Sequence, residues 1–370
     1  HLSKIAGNFI MNHFKGIISV LLLSFLFFSF TSVSYGAIKI DRAKFLEQKV
    51  NFAKFRISLL SDKGDILACV EKIDDLTLRK AGNMYAVHIL KLDIDNNKLG
   101  SWKSVYCKFK TINQFVLSDT GDKLLILGDG GTKISVLDTK SMELKSVFAH
   151  EKGKPGFRSE PVCMYYEGFF YIKGYFYDEE QFSKGYYIAK VDITKTGAAA
   201  FEKNLSIEEL YKKFNGVVGS IYMVSPVTGY FSVIRKDGMH LIGYKDGEVK
   251  DIDKGFNIPD IAGAPERVIY NVVKSKNGSD ETKLFDFKAG KSISLGSYIP
   301  YSFIARNTGK VIVMATFDYA RLKMSFYFAN EEDNFKIKPL FENVDPGAFK
   351  LSADGHVYAY LSKNLIIDKF

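Results

Sequence analysis

Short apolar runs with strand character alternate with brief polar turns along most of the chain. In the unit LLSDKGDILACVEK, residues 59–72, two apolar runs flank the polar tetrad Ser-Asp-Lys-Gly. Apolar and β-branched runs bounded by Gly, Asp or Ser are typical of β-strands joined by a tight turn. The same arrangement recurs at residues 117–129, 164–175, 224–238, 305–316 and 351–362. These repeats predict an all-β chain built from strand–turn–strand units.

A glycine lies in the turn of each of these units. Serine, aspartate and asparagine side chains hydrogen-bond nearby backbone groups, and glycine accepts a positive φ, so together they reverse the chain sharply. The turn glycines are Gly64, Gly121, Gly168, Gly229, Gly309 and Gly355. The long interval between the fourth and fifth glycines has room for another unit, and residues 263–278 supply one that turns at Pro265 and Glu266. Seven units are therefore predicted.

A third strand ending in aspartate follows most units, and a short fourth strand comes next, for example at residues 145–150. Repeats of about 40–50 residues with four strands are typical of propeller blades. We therefore predict a single domain, residues 37–370, folded as a seven-bladed β-propeller. Residues 37–41 are predicted to supply the fourth strand that the last unit lacks, because this pairing leaves no open edge. The alternatives are a six-bladed propeller with one irregular blade and a two-domain β protein.

Helical signal is confined to one clear segment, SIEELYKKFNG at residues 206–216. Ser206 and Glu209 form a capping-box pattern, and Gly216 is a predicted helix stop. This segment interrupts the strand pattern between the third and fourth units.

The order of strand, S-x-x-G turn, strand and a third strand ending in aspartate resembles the TolB-type and WD-like propeller repeats of bacterial envelope proteins. The closest tetrads are residues 61–64, 118–121 and 352–355. The proline usual after the serine in such repeats occurs only at Pro226, and the tryptophan-rich positions of WD-type repeats are absent. The resemblance implies the propeller architecture and an envelope compartment, while a role in an envelope complex is an analogy.

The N-terminal region differs from the rest of the chain in hydropathy and charge. Residues 1–36 carry only two lysines and include the apolar run Ile17–Phe30. This run is shorter than the roughly 20 apolar residues of a membrane span, but it suits the core of a secretory signal. Small residues at Ser34 and Gly36 allow cleavage before Ala37. We predict a signal peptide over residues 1–36 and a periplasmic or secreted protein without a stable membrane span; an uncleaved anchor is the alternative.

Charge and cysteine content narrow the class of protein further. Without residues 1–36 the chain has 49 basic and 42 acidic residues, a formal charge of +7. This surplus is spread along the chain and forms no dense basic run, so no nucleic-acid partner is expected, although an anionic envelope polymer or lipid surface is compatible with it. Cys69, Cys107 and Cys163 lie in apolar, strand-like stretches. We expect them to be buried thiols rather than a disulfide framework.

The sequence shows no clear catalytic or metal-binding motif. None of the histidines after residue 36 has a metal-ligand spacing with another His or Cys, and no G-x-S-x-G motif is present. The stretch DIDNNKLG, residues 93–100, begins like a calcium loop but lacks its glycine and its final glutamate. We therefore expect no metal and no cofactor. Carboxylates from different blades could still meet at the central channel, which leaves an enzyme open.

Connection lengths indicate where a binding site lies. In a propeller blade, the second-to-third and the blade-to-blade connections share one face, here named the long-connection face, and the other turns lie on the short-turn face. Long segments at residues 72–83, 150–161, 177–185, 206–216 and 256–265 all belong to the first face. Loops on a rigid scaffold commonly carry function. The residues predicted to contact a ligand or partner there are Arg79, Lys80, Lys152, Lys154, Arg158, Tyr177, Phe182 and Lys184.

Two functions from different classes follow. The first is an exported, monomeric, non-catalytic module that binds a protein or an envelope polymer across this face. The second is a glycan-binding or glycan-cleaving propeller, because exposed aromatic side chains can stack on sugar rings. Residues 165–187 are rich in aromatics, most of which we expect in the core. Clustered carboxylates at the channel mouth would favour the glycan-cleaving version.

Overall fold

The chain forms seven four-stranded antiparallel sheets arranged in a ring. The structure, a computed structural model, describes residues 38–40, 55–178, 180, 183–274, 280–297, 299–362 and 365–370. The predicted signal peptide, residues 1–36, lies outside these ranges. The first strand of each sheet contacts the first strand of the next, and the first sheet contacts the seventh. The predicted seven-bladed β-propeller is confirmed, and the six-bladed and two-domain alternatives are wrong.

The first four blades contain the following strands in chain order. Blade 1 consists of β2 (Phe55–Leu60), β3 (Ile66–Lys72), β4 (Tyr85–Asp93) and β5 (Lys98–Cys107). Blade 2 consists of β6 (Ile112–Leu117), β7 (Lys123–Gly128), β8 (Lys133–Asp138) and β9 (Leu144–Ala149). Blade 3 consists of β10 (Gly156–Tyr166), β11 (Phe169–Tyr177), β12 (Ser183–Val191) and β13 (Phe201–Ser206). Blade 4 consists of β14 (Val217–Ser225), β15 (Thr228–Arg235), β16 (Gly238–Lys245) and β17 (Glu248–Gly255).

The remaining three blades follow the same order, with the N-terminal strand completing the last one. Blade 5 consists of β18 (Ile261–Ala264), β19 (Arg267–Val273), β20 (Asp280–Asp286) and β21 (Lys291–Ser297). Blade 6 consists of β22 (Tyr301–Ile304), β23 (Val311–Asp318), β24 (Lys323–Asn330) and β25 (Lys338–Val344). Blade 7 consists of β26 (Ala348–Leu351), β27 (Val357–Leu361), β28 (Leu365–Lys369) and β1 (Ile38–Ile40).

The ring closes through β1. This strand pairs antiparallel with β28, with Ile38 opposite Ile367 and Ile40 opposite Leu365. Ile38 and Ile40 are buried in an apolar cluster shared by blades 7 and 1. The predicted pairing of residues 37–41 with the last unit is therefore confirmed for residues 38–40.

The core is divided among the blade interfaces. Each of the seven pairs of neighbouring blades encloses its own cluster of buried apolar side chains in the described part of the chain. Between blades 2 and 3, for example, Leu125 and Ile134 pack against Phe157 and Ile172. Strands therefore bury both faces, which explains the nearly continuous apolar runs in the sequence.

The polar tetrads form tight turns at the short-turn face. In the first one, the Gly64 N–H donates to the Ser61 carbonyl oxygen at 2.9 Å. The buried Ser61 Oγ accepts from the Ile66 N–H at 3.1 Å, so the side chain ties the turn to the next strand. The turns of Ser118 and Ser352 repeat both contacts. Because the serine is buried, water cannot take its place as the acceptor for the strand N–H group.

The turn glycines also fit against the preceding blade. Gly64 has a φ of +75°, and an added Cβ would lie 2.5 Å from Cβ of Val357 in blade 7. Gly121 has a φ of +71°, and its Cβ would lie 2.7 Å from Cδ1 of Ile66 in blade 1. The absence of a side chain thus serves both the turn conformation and the packing of neighbouring blades.

Gly229 differs from the prediction for the other turn glycines. It lies inside β15, opposite Tyr244, and the chain reverses at Pro226 and Val227 instead. The glycine is explained by packing, because an added Cβ would lie 2.5 Å from Sδ of Met223.

Two helices interrupt the described strands. Helix α1 (Leu76–Lys80) begins at Asp75, whose carboxylate accepts from two backbone N–H groups, and it was not predicted. Helix α2 (Ile207–Phe214) begins at Ser206 as predicted, and the Ser206 Oγ accepts from the Glu209 N–H at 3.3 Å. Its end differs from the prediction, because Asn215 rather than Gly216 adopts the left-handed conformation.

Three polar residues of blade 1 form a network within the sheet. His88 Nδ1 lies 2.8 Å from Ser104 Oγ, and Nε2 lies 3.0 Å from a Glu71 carboxylate oxygen. The ring centroid of Trp102, in β5, lies 5.9 Å from that of His88. Because His88 is almost fully buried, these contacts satisfy it and hold three strands together.

The three cysteines are free thiols. Cys69 and Cys107 are buried in the second and fourth strands of blade 1, and Cys163 is partly buried in blade 3. Burial raises the pKa of all three thiols, to about 12 for Cys107, so they are unreactive at neutral pH.

Candidate functional site

The predicted contact residues that the structure describes lie at the long-connection face, but in two separate groups. Arg79 and Lys80 are the last residues of α1, which joins the second and third strands of blade 1. Lys152 and Lys154 belong to the connection between blades 2 and 3, and Arg158 is in the first strand of blade 3. Because blade 2 separates blades 1 and 3, the structure does not bring all of these residues into one pocket.

The remaining predicted residues flank the second-to-third connection of blade 3. Tyr177 lies opposite Gly156 and Ser183 in the sheet and is partly buried. Lys184 forms an ion pair with Asp178 at 2.8 Å. Phe182 lies outside the described residues.

Beneath this part of the face, the aromatic residues of blade 3 surround a buried ion pair. Lys173 Nζ lies 2.6 Å from a Glu160 carboxylate oxygen, to which the Tyr186 hydroxyl donates at 2.6 Å. Tyr175 stacks on Tyr186 with ring centroids 4.2 Å apart. Burial opposes the charge of Glu160, but the hydrogen bonds from Lys173 and Tyr186 outweigh it and lower the pKa of that carboxyl group. These side chains are structural.

Helix α2 is also part of this supporting structure. Its buried side chains Ile207, Leu210 and Phe214 pack between blades 3 and 4. The Phe214 carbonyl oxygen accepts from Arg235 Nη2 at 2.9 Å, which caps the end of the helix. The helix-bearing connection therefore packs against the scaffold instead of projecting toward a partner.

The long-connection face carries the most exposed large apolar side chains of the described chain. These four residues, named here the apolar tips, are Leu76 (70% exposed), Val217 (68%), Tyr319 (79%) and Leu322 (63%). They come from blade 1, blade 4 and, for the last two, the second-to-third connection of blade 6. Ile234, Phe256 and Tyr301 are also half exposed on the same face. Exposed large apolar groups on one face are candidates for contact with a partner.

A basic sector occupies the same face on blades 1 to 3. It consists of six cations that make no ion pair with the described residues: Arg79, Lys80, Lys108, Lys110, Lys152 and Arg158. The nearby acids are fewer: Asp74 and Asp75 precede α1, Asp129 accepts from two backbone N–H groups, and Glu151 pairs with Lys154. The sector therefore carries net positive charge.

A cleft of about 330 Å³ opens among the first strands of blades 4, 5 and 6. Tyr222, Tyr301 and Phe303 line it together with Ile221 and Ile261. This volume is at the lower end of the range for small-ligand sites, which are mostly apolar with few polar groups.

At the short-turn end, charged residues of different blades meet across the channel. Arg306 Nη2 lies 3.8 Å from an Asp119 carboxylate oxygen and 4.0 Å from one of Asp62. It also donates to the Tyr165 carbonyl oxygen at 3.5 Å, and the Asn307 side chain donates to Asp62 at 2.6 Å. Because these residues come from the first turns of blades 1, 2, 3 and 6, they meet only where the ring brings the turns together.

The sequence analysis missed this channel cluster, although the repeats contained its signal. Asp62 and Asp119 directly follow the turn serines, and Arg306 follows Ala305, which takes the place of the serine in blade 6. Charges of opposite sign at one repeat position indicate a position that faces the channel axis. Turn chemistry alone explains the serine and glycine of each tetrad but not the charge at the position after the serine.

The two channel carboxyl groups lie near one guanidinium group, with Asp119 and Asp62 oxygens 3.8 and 4.0 Å from Arg306 Nη2. Burial and the Asp62 carboxylate raise the pKa of Asp119 to about 6, while Arg306 opposes this rise. Asp119 therefore takes up a proton at mildly acidic pH.

Replacing Asp119 by Asn is expected to change how stability depends on pH. The folded pKa of Asp119 lies above the ordinary value of about 3.9. Its contribution to stability is therefore full below about pH 4 and is lost as the pH rises through about 6. The side chain is 44% exposed, so screening by water should limit the effect to about 1 kcal/mol. Urea unfolding of both proteins at pH 4.5 and 7.5 measures the difference.

The Asp62→Asn variant is the companion to this measurement. Removing the repulsive carboxylate should shift the pKa of Asp119 toward its ordinary value and reduce the same pH dependence, while the part due to burial remains. If Asp119→Asn and the parent protein showed parallel pH profiles, the raised pKa of Asp119 would be wrong.

No metal site or membrane-spanning helix is found in the described ranges. No group of three or more His, Cys, Asp or Glu side chains is arranged there to hold a metal ion. None of the helices described is long and apolar enough to cross a membrane.

Comparisons with known proteins support the fold alone. No protein-family model matches the sequence, and no curated protein gives a significant match. An oligogalacturonate lyase from Vibrio parahaemolyticus matches with a TM-score of 0.53 and 10% identity over 90% of this chain and 91% of that one. An acylaminoacyl peptidase from Pyrococcus horikoshii matches with a TM-score of 0.50 and 15% identity over 83% of this chain.

This chain is shorter than one of these proteins. It covers 49% of the Pyrococcus peptidase and so spans about half of that protein's length. TolB from Acinetobacter baumannii is similar over 77% of this chain and 66% of that one, with 12% identity and a TM-score of 0.42.

Proposed function

We propose that this protein is an exported, non-catalytic β-propeller that binds a protein or another envelope component across its long-connection face. The observation that carries the proposal is the placement of the four apolar tips, all on that face. An apolar side chain left in water gains no burial energy, whereas covering it is worth about 1.5–3 kcal/mol. A surface that exposes several of them gains most from a partner.

The basic residues predicted from the sequence belong to the same proposed surface. Arg79, Lys80, Lys152 and Arg158 are exposed and make no ion pair with the described residues. Lys154 and Lys184 already pair with neighbouring acids, but such exposed pairs are weak and can be exchanged for a partner's acid. These residues would add electrostatic attraction to the apolar contacts.

The double substitution Tyr319→Ser and Leu322→Ser is expected to reduce binding to a native envelope fraction at least about tenfold. Both side chains are exposed at a turn, so stability should change by no more than about 0.5 kcal/mol. Co-sedimentation of the propeller, residues 37–370, with the envelope fraction measures the binding, and thermal unfolding checks the fold.

Phe169→Ser is the matched control. Phe169 is 44% exposed, but it lies at the first turn of blade 3 on the short-turn face. This variant should bind like the parent protein. If it lost binding while the double variant kept it, the functional surface would be the short-turn face and the proposal would be overturned.

Binding of a glycan is the second candidate, favoured by the cleft of blades 4 to 6. Tyr301 is 45% exposed at its rim, with Tyr222 and Phe303 further inside, and such rings can stack on a sugar. If this candidate holds, Tyr301→Ala should abolish binding to a glycan array without changing sedimentation with the envelope. If the parent protein bound no glycan on the array, this second candidate would be wrong.

A further inference from the structure

Apolar and basic groups occur side by side at the long-connection face. On α1, Arg79 and Lys80 follow the exposed Leu76 by three and four positions, so the three side chains share one side of the helix. In blade 6, Arg321 lies between the apolar tips Tyr319 and Leu322; its side chain is 73% exposed and pairs with Asp318 at 3.7 Å. A partner that covers Leu76 must therefore also accommodate the two cations next to it, and a partner that covers the blade 6 tips meets an exposed ion pair.

The four apolar tips are spread around the ring. Leu76 belongs to blade 1, Val217 to blade 4, and Tyr319 and Leu322 to blade 6 of the seven. A compact protein partner that covered all of them would have to bridge the mouth of the central channel. A planar partner can reach all of them at once, because the segments that carry them lie at the same end of their blades.

We propose that the long-connection face docks on an anionic lipid bilayer. The apolar tips enter the boundary between headgroups and acyl chains, and the basic sector contacts the anionic headgroups. A polyanionic glycan would satisfy the cations but offers no apolar phase for the tips, so the bilayer fits both sets of residues. The inference rests on the proposed function and names the partner for that face.

Vesicle sedimentation tests the inference directly. The probe is vesicles of phosphatidylcholine alone or mixed with phosphatidylglycerol, and the protein is the propeller of residues 37–370, which holds all seven blades and excludes the apolar run of residues 17–30. We expect binding only to the mixed vesicles, and weaker binding at high salt because salt screens the attraction.

Two double variants separate the contributions of charge and apolar contact. Arg79→Ser with Lys80→Ser should weaken binding to mixed vesicles about 30-fold, at about fivefold for each basic residue. Leu76→Ser with Leu322→Ser should weaken it at least about tenfold, because two apolar side chains no longer enter the interface.

Lys63→Ser with Lys91→Ser is the matched charge control. Both lysines are exposed on blade 1 and make no ion pair with the described residues, but they lie at the short-turn end of the blade. Loss of the same two charges there should leave vesicle binding unchanged. Equal losses in the two charge variants would overturn the inference, since attraction would then depend on net charge alone.

The outcomes also separate this inference from the proposed function. If the propeller bound no vesicles, but bound the envelope fraction in a way that Tyr319→Ser with Leu322→Ser abolished, the lipid partner would be wrong and a protein partner would be indicated. If envelope binding did not depend on that face, the proposed function itself would fail.

Discussion

Deletion of residues 37–42 is expected to lower the free energy of unfolding by about 4–8 kcal/mol. The deletion removes Ile38 and Ile40, which are 5% and 2% exposed in the cluster between blades 7 and 1. Loss of each buried isoleucine side chain costs about 2–4 kcal/mol. It also exposes the edge of β28, so the truncated protein should aggregate more readily. Urea unfolding of the propeller with and without the segment measures the change.

Point variants distinguish the loss of packing from the loss of the strand. Ile40→Ala keeps the backbone pairing and should cost about 3 kcal/mol. Ile293→Ala removes the same atoms from a side chain that is 37% exposed in β21, and should cost less than about 1 kcal/mol. A truncated propeller as stable as the parent protein would show that β1 does not close the ring.

Gly64→Ala is expected to destabilise the propeller by about 3 kcal/mol. The residue has a φ of +75°, at which an alanine costs about 1–2 kcal/mol. The new Cβ would also lie 2.5 Å from Cβ and 2.8 Å from both Cγ atoms of Val357, so neighbouring blades must move apart. Overpacking of this kind adds about 1–3 kcal/mol. Chemical denaturation gives the change.

Gly130→Ala is the control that isolates the packing cost. Gly130 has a φ of +71°, close to that of Gly64, but no atom lies within 4 Å of the added Cβ. This variant should lose only the conformational part, about 1–2 kcal/mol. Equal losses at the two sites would mean that the short-turn glycines serve the turn conformation alone and do not lock neighbouring blades.

The number of blades and the closure could be predicted because both depend on local chemistry that repeats. Each Ser-x-x-Gly turn uses contacts within six residues, such as the Ser61 Oγ and the Ile66 N–H, so each copy shows in the sequence. The segment 38–40 was assigned to the last blade because the last unit lacked one strand. The missed helix α1 has only five residues and buries none of them, so it carries no apolar periodicity.

The candidate surface could be predicted only in part. Connection lengths predicted that Arg79, Lys80 and Lys152 lie on the long-connection face, because loop length is visible in the sequence. The apolar tips of blades 4 and 6 were not singled out, since an exposed Val217 and a buried Val224 look alike until their neighbours are known. The long segment 206–216 looked like a projecting loop, but its helix packs between two blades.

The sequence by itself determined the all-β class, the repeating unit, the number of blades and the strand that closes the ring, because turn chemistry and strand patterning act between near neighbours in the chain. Only the tertiary structure decided which side chains meet across the ring. Arg306 and Asp62 are separated by 244 residues, yet they lie 4.0 Å apart, because closure of the ring brings the first turns of blades 1 and 6 to one channel mouth. The tertiary structure also decides which side chains are exposed, because the blades that cover a side chain are distant in the chain and adjacent in space.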